Sequence, residues 1–137
     1  MPWIVDTCVL IDVLEDDPQF GAASAILLDR LVAEGLEISP VTYAELAPAF
    51  GGDRALQDEF LAGVGVALPA EWSWVDTLAA HAAWDRFIRL KRQGAVPRRP
   101  LADILIGAHA AGRQGLVTRN PGDFTPVFPD LPLAVPD

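Results

Sequence analysis

The sequence predicts an α/β fold in which a central, mostly parallel sheet is covered on both faces by helices. Three observations predict it. Short runs of strand formers alternate with segments of helical periodicity along the whole chain. With 137 residues, 51% of them hydrophobic, the chain fits one domain, residues 1–137, around one core. The first strand candidate, Trp3-Ile4-Val5, ends abruptly in Asp6-Thr7. A carboxylate and a hydroxyl in that place mark the carboxyl edge, where open parallel sheets bind ligands.

The elements follow in order. Residues 8–14 are strongly apolar and predict a short helix, stopped by the acidic run Glu15-Asp16-Asp17 and by Pro18. Across residues 18–34, Ala22, Ala23, Ile26, Leu27, Leu31 and Ala33 recur at helical spacing, and Gly35 fits just past the end. Residues 36–39 are short enough for a second buried strand. Thr42-Tyr43-Ala44-Glu45 then matches the Ser/Thr-x-x-Glu box of a helix start, with Glu45 in the first turn. Pro48 and Gly51-Gly52 limit that helix, and Asp53 caps another running to about Ala62. Residues 64–68 are a small strand candidate ended by Pro69. Residues 76–93 read as the longest helix, with Leu78, Ala79, Ala82, Ala83, Phe87 and Leu90 on its apolar side and Gly94 as its stop. A rigid basic connection, residues 96–100, leads to a helix over residues 101–113 whose core positions are Ile104, Leu105, Ala108 and Ala111. Residues 116–118 are a strand, residues 119–123 a loop, and residues 133–135 a last strand.

Charge and cysteine usage narrow the function. Nineteen acidic and ten basic residues give a net charge of −9, which argues against broad electrostatic binding to nucleic acid. Six of the ten positive charges, Arg86, Arg89, Lys91, Arg92, Arg98 and Arg99, nevertheless fall within fourteen residues. Alone, that cluster reads as a solvated helix face; beside a carboxylate site it becomes a substrate-facing patch. No apolar run is long enough to span a bilayer, the N-terminus lacks the basic segment of a secretory signal, and the one cysteine, Cys8, has no internal partner. The expectation is a cytoplasmic protein without a membrane partner.

Four acidic residues occupy equivalent junctions: Asp6 after the first strand, Glu45 after the second, Asp103 near the start of the last long helix, and Asp123 in the loop after the strand at 116–118. Parallel strands would place all four on one edge of the sheet. Each has a plain explanation: Asp6 as a turn residue, Glu45 as the capping partner of Thr42, Asp103 as a charge at a helix N-terminus, Asp123 as a turn residue. Together they meet a physical condition. Two carboxylates about 4 Å apart repel by about 4 kcal/mol at an effective dielectric near 20, so they take up protons, stay wet or hold a cation. Oxygen donors without paired Cys or His suit Mg²⁺ or Mn²⁺ rather than zinc. Such a cation activates water for attack on a phosphodiester. Thr7 is placed to orient a carboxylate from behind, and Thr118 and Asn120 are candidates for the same supporting place.

The segments Ile4-Val5-Asp6-Thr7, Val41-Thr42-Tyr43-Ala44-Glu45-Leu46, residues 101–110 (Leu-Ala-Asp-Ile-Leu-Ile-Gly-Ala-His-Ala) and residues 116–124 (Leu-Val-Thr-Arg-Asn-Pro-Gly-Asp-Phe) together resemble a PIN domain, most closely the VapC and FitB-type toxins of bacterial toxin–antitoxin pairs. The resemblance implies a three-layer α/β/α fold and a Mg²⁺- or Mn²⁺-dependent endoribonuclease. It further implies inhibition by a cognate antitoxin, a homodimer, and a heterotetramer or larger assembly with that antitoxin. Asp6, Glu45 and Asp103 match the family's three best-defined acidic positions. The fourth falls on Asp123 or, where other members carry an acid, on Asn120. An antitoxin Arg reaching into the carboxylates is the complementary contact that the resemblance and the charge imply.

Other residues carry less. His109, six residues after Asp103, faces away from it and reads as a packed histidine. His81 has Asp85 at i+4 as its expected partner. Cys8 is expected in the core with no activated thiolate. Trp72, Trp74 and Trp84 are expected to be mostly core, with a partner surface as the alternative for the first two. Asp12 falls either at the rim of the site or on a solvated helix position. Competing functions are a catalytically inactive binding module on the same fold, a phospho-acceptor receiver and an Asp-nucleophile phosphatase. A receiver wants a Lys after a late strand, and none follows Lys91; the phosphatase wants a second Asp where Cys8 stands.

Overall fold

The computed structural model describes residues 1–91 and 100–137. Four short strands, β1 (Trp3–Val5), β2 (Leu36–Glu37), β3 (Gly115–Val117) and β4 (Leu133–Ala134), form one sheet in the order β2-β1-β3-β4. Every pairing is parallel, with Ile4 opposite Leu116 and Val5 opposite Val117. From β1 the chain crosses first to one side, to β2, and later to the other, to β3. The carboxyl end of β1 is therefore the point where strand order reverses and a crevice opens.

Successive residues of a strand point to opposite faces, and here they enter two different cores. Ile4 and Leu116 pack under α5 (Trp74–Lys91) and α6 (Pro100–Ala111), with Phe87, Ile104, Ile106, Phe124 and Phe128. Val5 and Val117 pack on the other side with Val9, Leu10, Leu27, Leu28 and Leu61, from α1 (Thr7–Leu14), α2 (Gly21–Leu31) and α4 (Arg54–Gly63). The result is the three-layer α/β/α arrangement that the alternation of elements predicts. Gly107 of α6 lets the Phe128 ring close onto the helix, since a Cβ there would overlap the ring.

The far end of the α5/α6 layer is closed by a buried ion pair. Asp76, 2% exposed, meets Arg113 Nη1 at 2.5 Å and accepts the Ser73 N–H at 2.9 Å. Arg113 also donates to the carbonyls of Glu71 at 3.1 Å and His109 at 3.3 Å. One residue on, the Gln114 N–H donates to Pro2 O, ahead of β1, which places this clamp at the amino edge of the sheet. Burial alone would raise the Asp76 pKa, but Arg113 and the Ser73 N–H hold it below the usual carboxylate range. Burial, with Arg113 close by, lowers the pKa of the fully buried His109, although Asp76 and the Glu71 backbone oppose this. The Trp72 ring meets the imidazole edge-on at 5.6 Å, so His109 is the packed histidine expected.

Several expected elements differ. Residues 64–68 form no strand; Val66 makes one isolated parallel bridge to Leu36, and Gly65, at φ 88°, turns the chain against Val32. The helix expected over 18–34 begins at Gly21, because Asp17 caps the turn before it by accepting the N–H groups of Gln19 and Phe20 at 2.9 and 2.8 Å. It buries Ser24, Leu27, Leu28 and Leu31, while Ala22, Ile26 and Ala33 face out. The start of α3 (Pro40–Glu45) is capped by Ser39, whose Oγ accepts the Val41 N–H at 3.2 Å, and not by Thr42, which is buried inside the helix. Glu45 is thus the last residue of α3, not a capping partner in its first turn. The longest helix begins two residues early, at Trp74, and is described as far as Lys91; its expected end at 93–94 and the basic connection before Pro100 lie outside the described residues. The tryptophans are not mostly core: Trp74 is 72% exposed, Trp84 is exposed and Trp72 is half-buried. Asp85 pairs with Arg89 at 2.7 Å rather than with His81.

Candidate active site

The site grows from the two central strands. As β1 ends, Asp6 takes extended backbone at the N-cap of α1 and leaves its side chain free of any capping bond. As β3 ends, Thr118 follows beside it, fully buried, and its Oγ1 donates to Asp6 Oδ2 at 2.8 Å. The Cys8 thiol donates to the same oxygen at 3.3 Å. These are neutral donors, and they fix the rotamer of a carboxylate that is 2% exposed. Thr118 Oγ1 also accepts the Asn120 N–H at 3.1 Å, which ties the loop after β3 to the same centre.

Asp103 reaches this edge from α6. It is the fourth residue of the helix and 4% exposed. Asp123 closes a single 3-10 turn, Pro121–Asp123, and stays half-buried. Asp6, Asp103 and Asp123 line one cleft of about 280 Å³ together with Thr7, Cys8, Ile11, Arg119 and Asn120. Glu45 stands next to this wall rather than in it. Its Oε1 accepts the Thr7 hydroxyl at 2.7 Å, and Thr42 Oγ1 lies 3.0 Å from that hydroxyl. Thr7 therefore orients a carboxylate from behind, and that carboxylate is Glu45.

Three other expected contributors, Arg86, Arg89 and Lys91, lie elsewhere. Arg86 Nε donates to Val127 O at 3.0 Å, which commits it to the α5 layer. Arg89 is held by Asp85 on the exposed face of α5, and Lys91 is exposed at its end. None of the three lines the cleft. Arg92, Arg98 and Arg99 lie outside the described residues. Cys8 packs against the core as expected and also lines the cleft, and burial, reinforced by Asp6, pushes its pKa up to about 12, so the thiol is unactivated.

Two residues of the site had little signal in the sequence. Asp12 of α1 is 4% exposed, so it does not occupy a solvated position. It forms an ion pair with Arg119, Nε to Oδ2 at 2.6 Å, and the Arg119 guanidinium lies 4.8 Å from the centre of the Phe20 ring. Burial pushes the Asp12 carboxyl up, and Arg119 works against that shift. The only cue to Arg119 was its place directly after a late strand, one residue from Asn120.

Donor chemistry decides whether the cleft fits a divalent cation. Its ligand candidates are three carboxylates and one carboxamide, all oxygen donors once the Asn120 carbonyl is counted. Among the described residues, no three His, Cys, Asp or Glu side chains stand together as a ready-made metal cage. Oxygen donors of this kind suit a hard cation such as Mg²⁺ or Mn²⁺ rather than zinc.

The family model described as "PIN domain" matches residues 3–124. Among solved structures, the chain is similar over its full length to VapBC2 from Rickettsia felis, bound to a DNA fragment from its promoter. The identity is 21%, both chains are covered to 100%, and the TM-score is 0.74. It is also similar to VapBC-1 from nontypeable Haemophilus influenzae, at 24% identity, 98% coverage of each chain and a TM-score of 0.66. No curated protein matches the chain.

Proposed function

The chain belongs to the PIN domain family, a family of nucleases, and on that premise we propose that it is a Mg²⁺- or Mn²⁺-dependent endoribonuclease acting as the toxin of a toxin–antitoxin pair. The observation that carries the reading is the convergence of Asp6, Asp103 and Asp123 on one cleft at the carboxyl edge, with Glu45 tied to its wall through Thr7. These residues come from four distant stretches of the chain. A fold with no use for them together has no reason to concentrate like charges there.

Asp6 and Asp103 would hold the cation, with Asp123 and the Asn120 carbonyl at the open side and Glu45 reaching it directly or through water. When bound, the cation would supply charge for the phosphate oxygens and acidify a water to serve as nucleophile. The chain's own contribution is orientation. Thr118 and Cys8 fix Asp6, Thr7 fixes Glu45, and Asp6 and Asp103 are both buried.

The partners follow from the same reading. Both similar structures are VapBC assemblies. By analogy this chain forms a homodimer and a heterotetramer or larger with a cognate antitoxin, in the cytoplasm. No helix among the described residues is long and apolar enough to cross a membrane. Cleavage of single-stranded RNA by the purified chain, with and without Mg²⁺, tests the activity. Loss of cleavage in Asp6→Asn and Asp103→Asn is the expected result; undiminished Mg²⁺-dependent cleavage in both variants defeats it. A catalytically inactive binding module is the second reading, favoured by Asn120 at a position where some family members carry an acid. Tight binding of a partner by a chain that shows no calorimetric response to Mg²⁺ or Mn²⁺ would select it.

A further inference from the structure

We propose that Arg119 is the phosphate-binding arm of the cleft, held ready by Asp12 and Phe20 to grip a phosphodiester of single-stranded RNA. The inference rests on the nuclease reading above and adds a residue which that reading does not use. Arg119 lines the same wall as Asp6, Asp103 and Asp123, yet its ion pair is with Asp12, which does not line the cleft. Asp12 Oδ2 lies 2.6 Å from the inner nitrogen, Nε, as an ion pair without hydrogen-bond alignment, and the Phe20 ring centre lies 4.8 Å from the guanidinium carbon. The ion pair engages Nε and not the two terminal nitrogens, and 31% of the side chain remains exposed beside the cleft.

A guanidinium drawn to a carboxylate on its Nε side and supported on one face presents its two outer nitrogens as a fork, which matches the paired oxygens of a phosphate. Preorganisation removes much of the ordering cost that a free surface arginine meets on binding. Asp12 is a positioning residue here. Burial makes its carboxylate an anchor that solvent competes for poorly, and its place on α1 ties the arm to the helix that follows Asp6. A purely structural pair would use the fork on neighbouring carbonyls, as Arg113 does with Glu71 and His109.

The test is binding of a fluorescent single-stranded RNA oligonucleotide, followed by anisotropy in excess Ca²⁺ across a salt series. Arg119→Gln is expected to weaken binding about tenfold at low salt, the loss of one charge-assisted contact. It should also make the plot of log K against log salt shallower by about 0.7, the value for one phosphate on a single strand. Arg119→Lys should keep the native slope with intermediate affinity, because it retains the charge and loses the fork. Arg119→Gln leaves Asp12 buried without its partner, so the paired variant Asp12→Asn/Arg119→Gln guards against misfolding and should show the same loss of slope. Native slope and affinity in the folded paired variant overturn the inference and leave the nuclease reading standing. No RNA binding by the native chain under any of these conditions brings down both.

Discussion

The chain buries aspartates at both edges of its sheet, and the two sites are built on opposite principles. At the amino edge, Asp76 meets Arg113, and the same guanidinium serves the carbonyls of Glu71 and His109. The carboxylate is satisfied inside the fold and its pKa is driven down despite burial. At the carboxyl edge, Asp6 is met by a hydroxyl and a thiol, and Asp103 and Asp123 share an open cleft with it. At the amino edge a buried carboxylate and an arginine tie α5 to the turn after α6; at the carboxyl edge Asp6 and Asp103, both buried, line a cleft with the half-buried Asp123.

Breaking each site separately should separate the two roles. The largest effect is expected in the cleft. Asp6→Asn or Asp103→Asn should lower RNA cleavage by about 1,000-fold or more, as loss of a principal electrostatic group does, while circular dichroism shows an intact fold. At the clamp the pattern reverses. Arg113→Ala leaves a charge buried at Asp76 and should cost about 3 kcal/mol of stability in urea titrations. The folded fraction should retain native cleavage. If Arg113→Ala instead left stability unchanged and abolished cleavage, the division into structural and functional edges would be wrong.

Smaller changes sharpen the contrast. Thr118→Val keeps the shape and removes the hydroxyl that fixes Asp6, so Mn²⁺ affinity should fall about 10- to 100-fold by calorimetry. The clamp should also show a pH signature. The pKa values of His109 and Asp76 are both lowered by folding, so the unfolded chain binds more protons than the folded one as acid is added. Stability is therefore fully present above their unfolded values. It declines as pH falls below about 6.5 for His109, with a limiting slope of about 1.4 kcal/mol per pH unit, and again below about 3.9 for Asp76. Urea midpoints between about pH 7.5 and about pH 5.5 should show the first decline in the native chain, and His109→Leu should flatten it.

How far the sequence foretells these two sites depends on whether a signal is local. Asp6 and Asp103 were legible because each sits where a strand or a helix visibly begins or ends. The sheet was legible because Ile4-Val5 and Leu116-Val117 are short, branched and apolar. For Glu45 the sequence signals the helix but not the end: it closes α3 instead of opening it. Ser39 and Thr42 both cap helices well, and Pro40 at the first helical position decides for Ser39. Val66 looked like a strand because its neighbours are apolar, but Gly65 turns the backbone and allows only one bridge. The Asp12–Arg119 and Asp76–Arg113 pairs join residues far apart in the chain, and no periodicity reports such contacts. The exposure of Trp74 contradicts its composition, and nothing in the fold explains it.

The central claim is that a divalent cation belongs between Asp6 and Asp103, and a crystal grown or soaked in Mn²⁺ tests it most directly. The account predicts an anomalous peak in the cleft, bonded to one or both of those carboxylates and otherwise to water, with Asp123, Asn120 or Glu45 at its edge. A well-ordered crystal in which manganese binds elsewhere and leaves Asp6 and Asp103 untouched would contradict it.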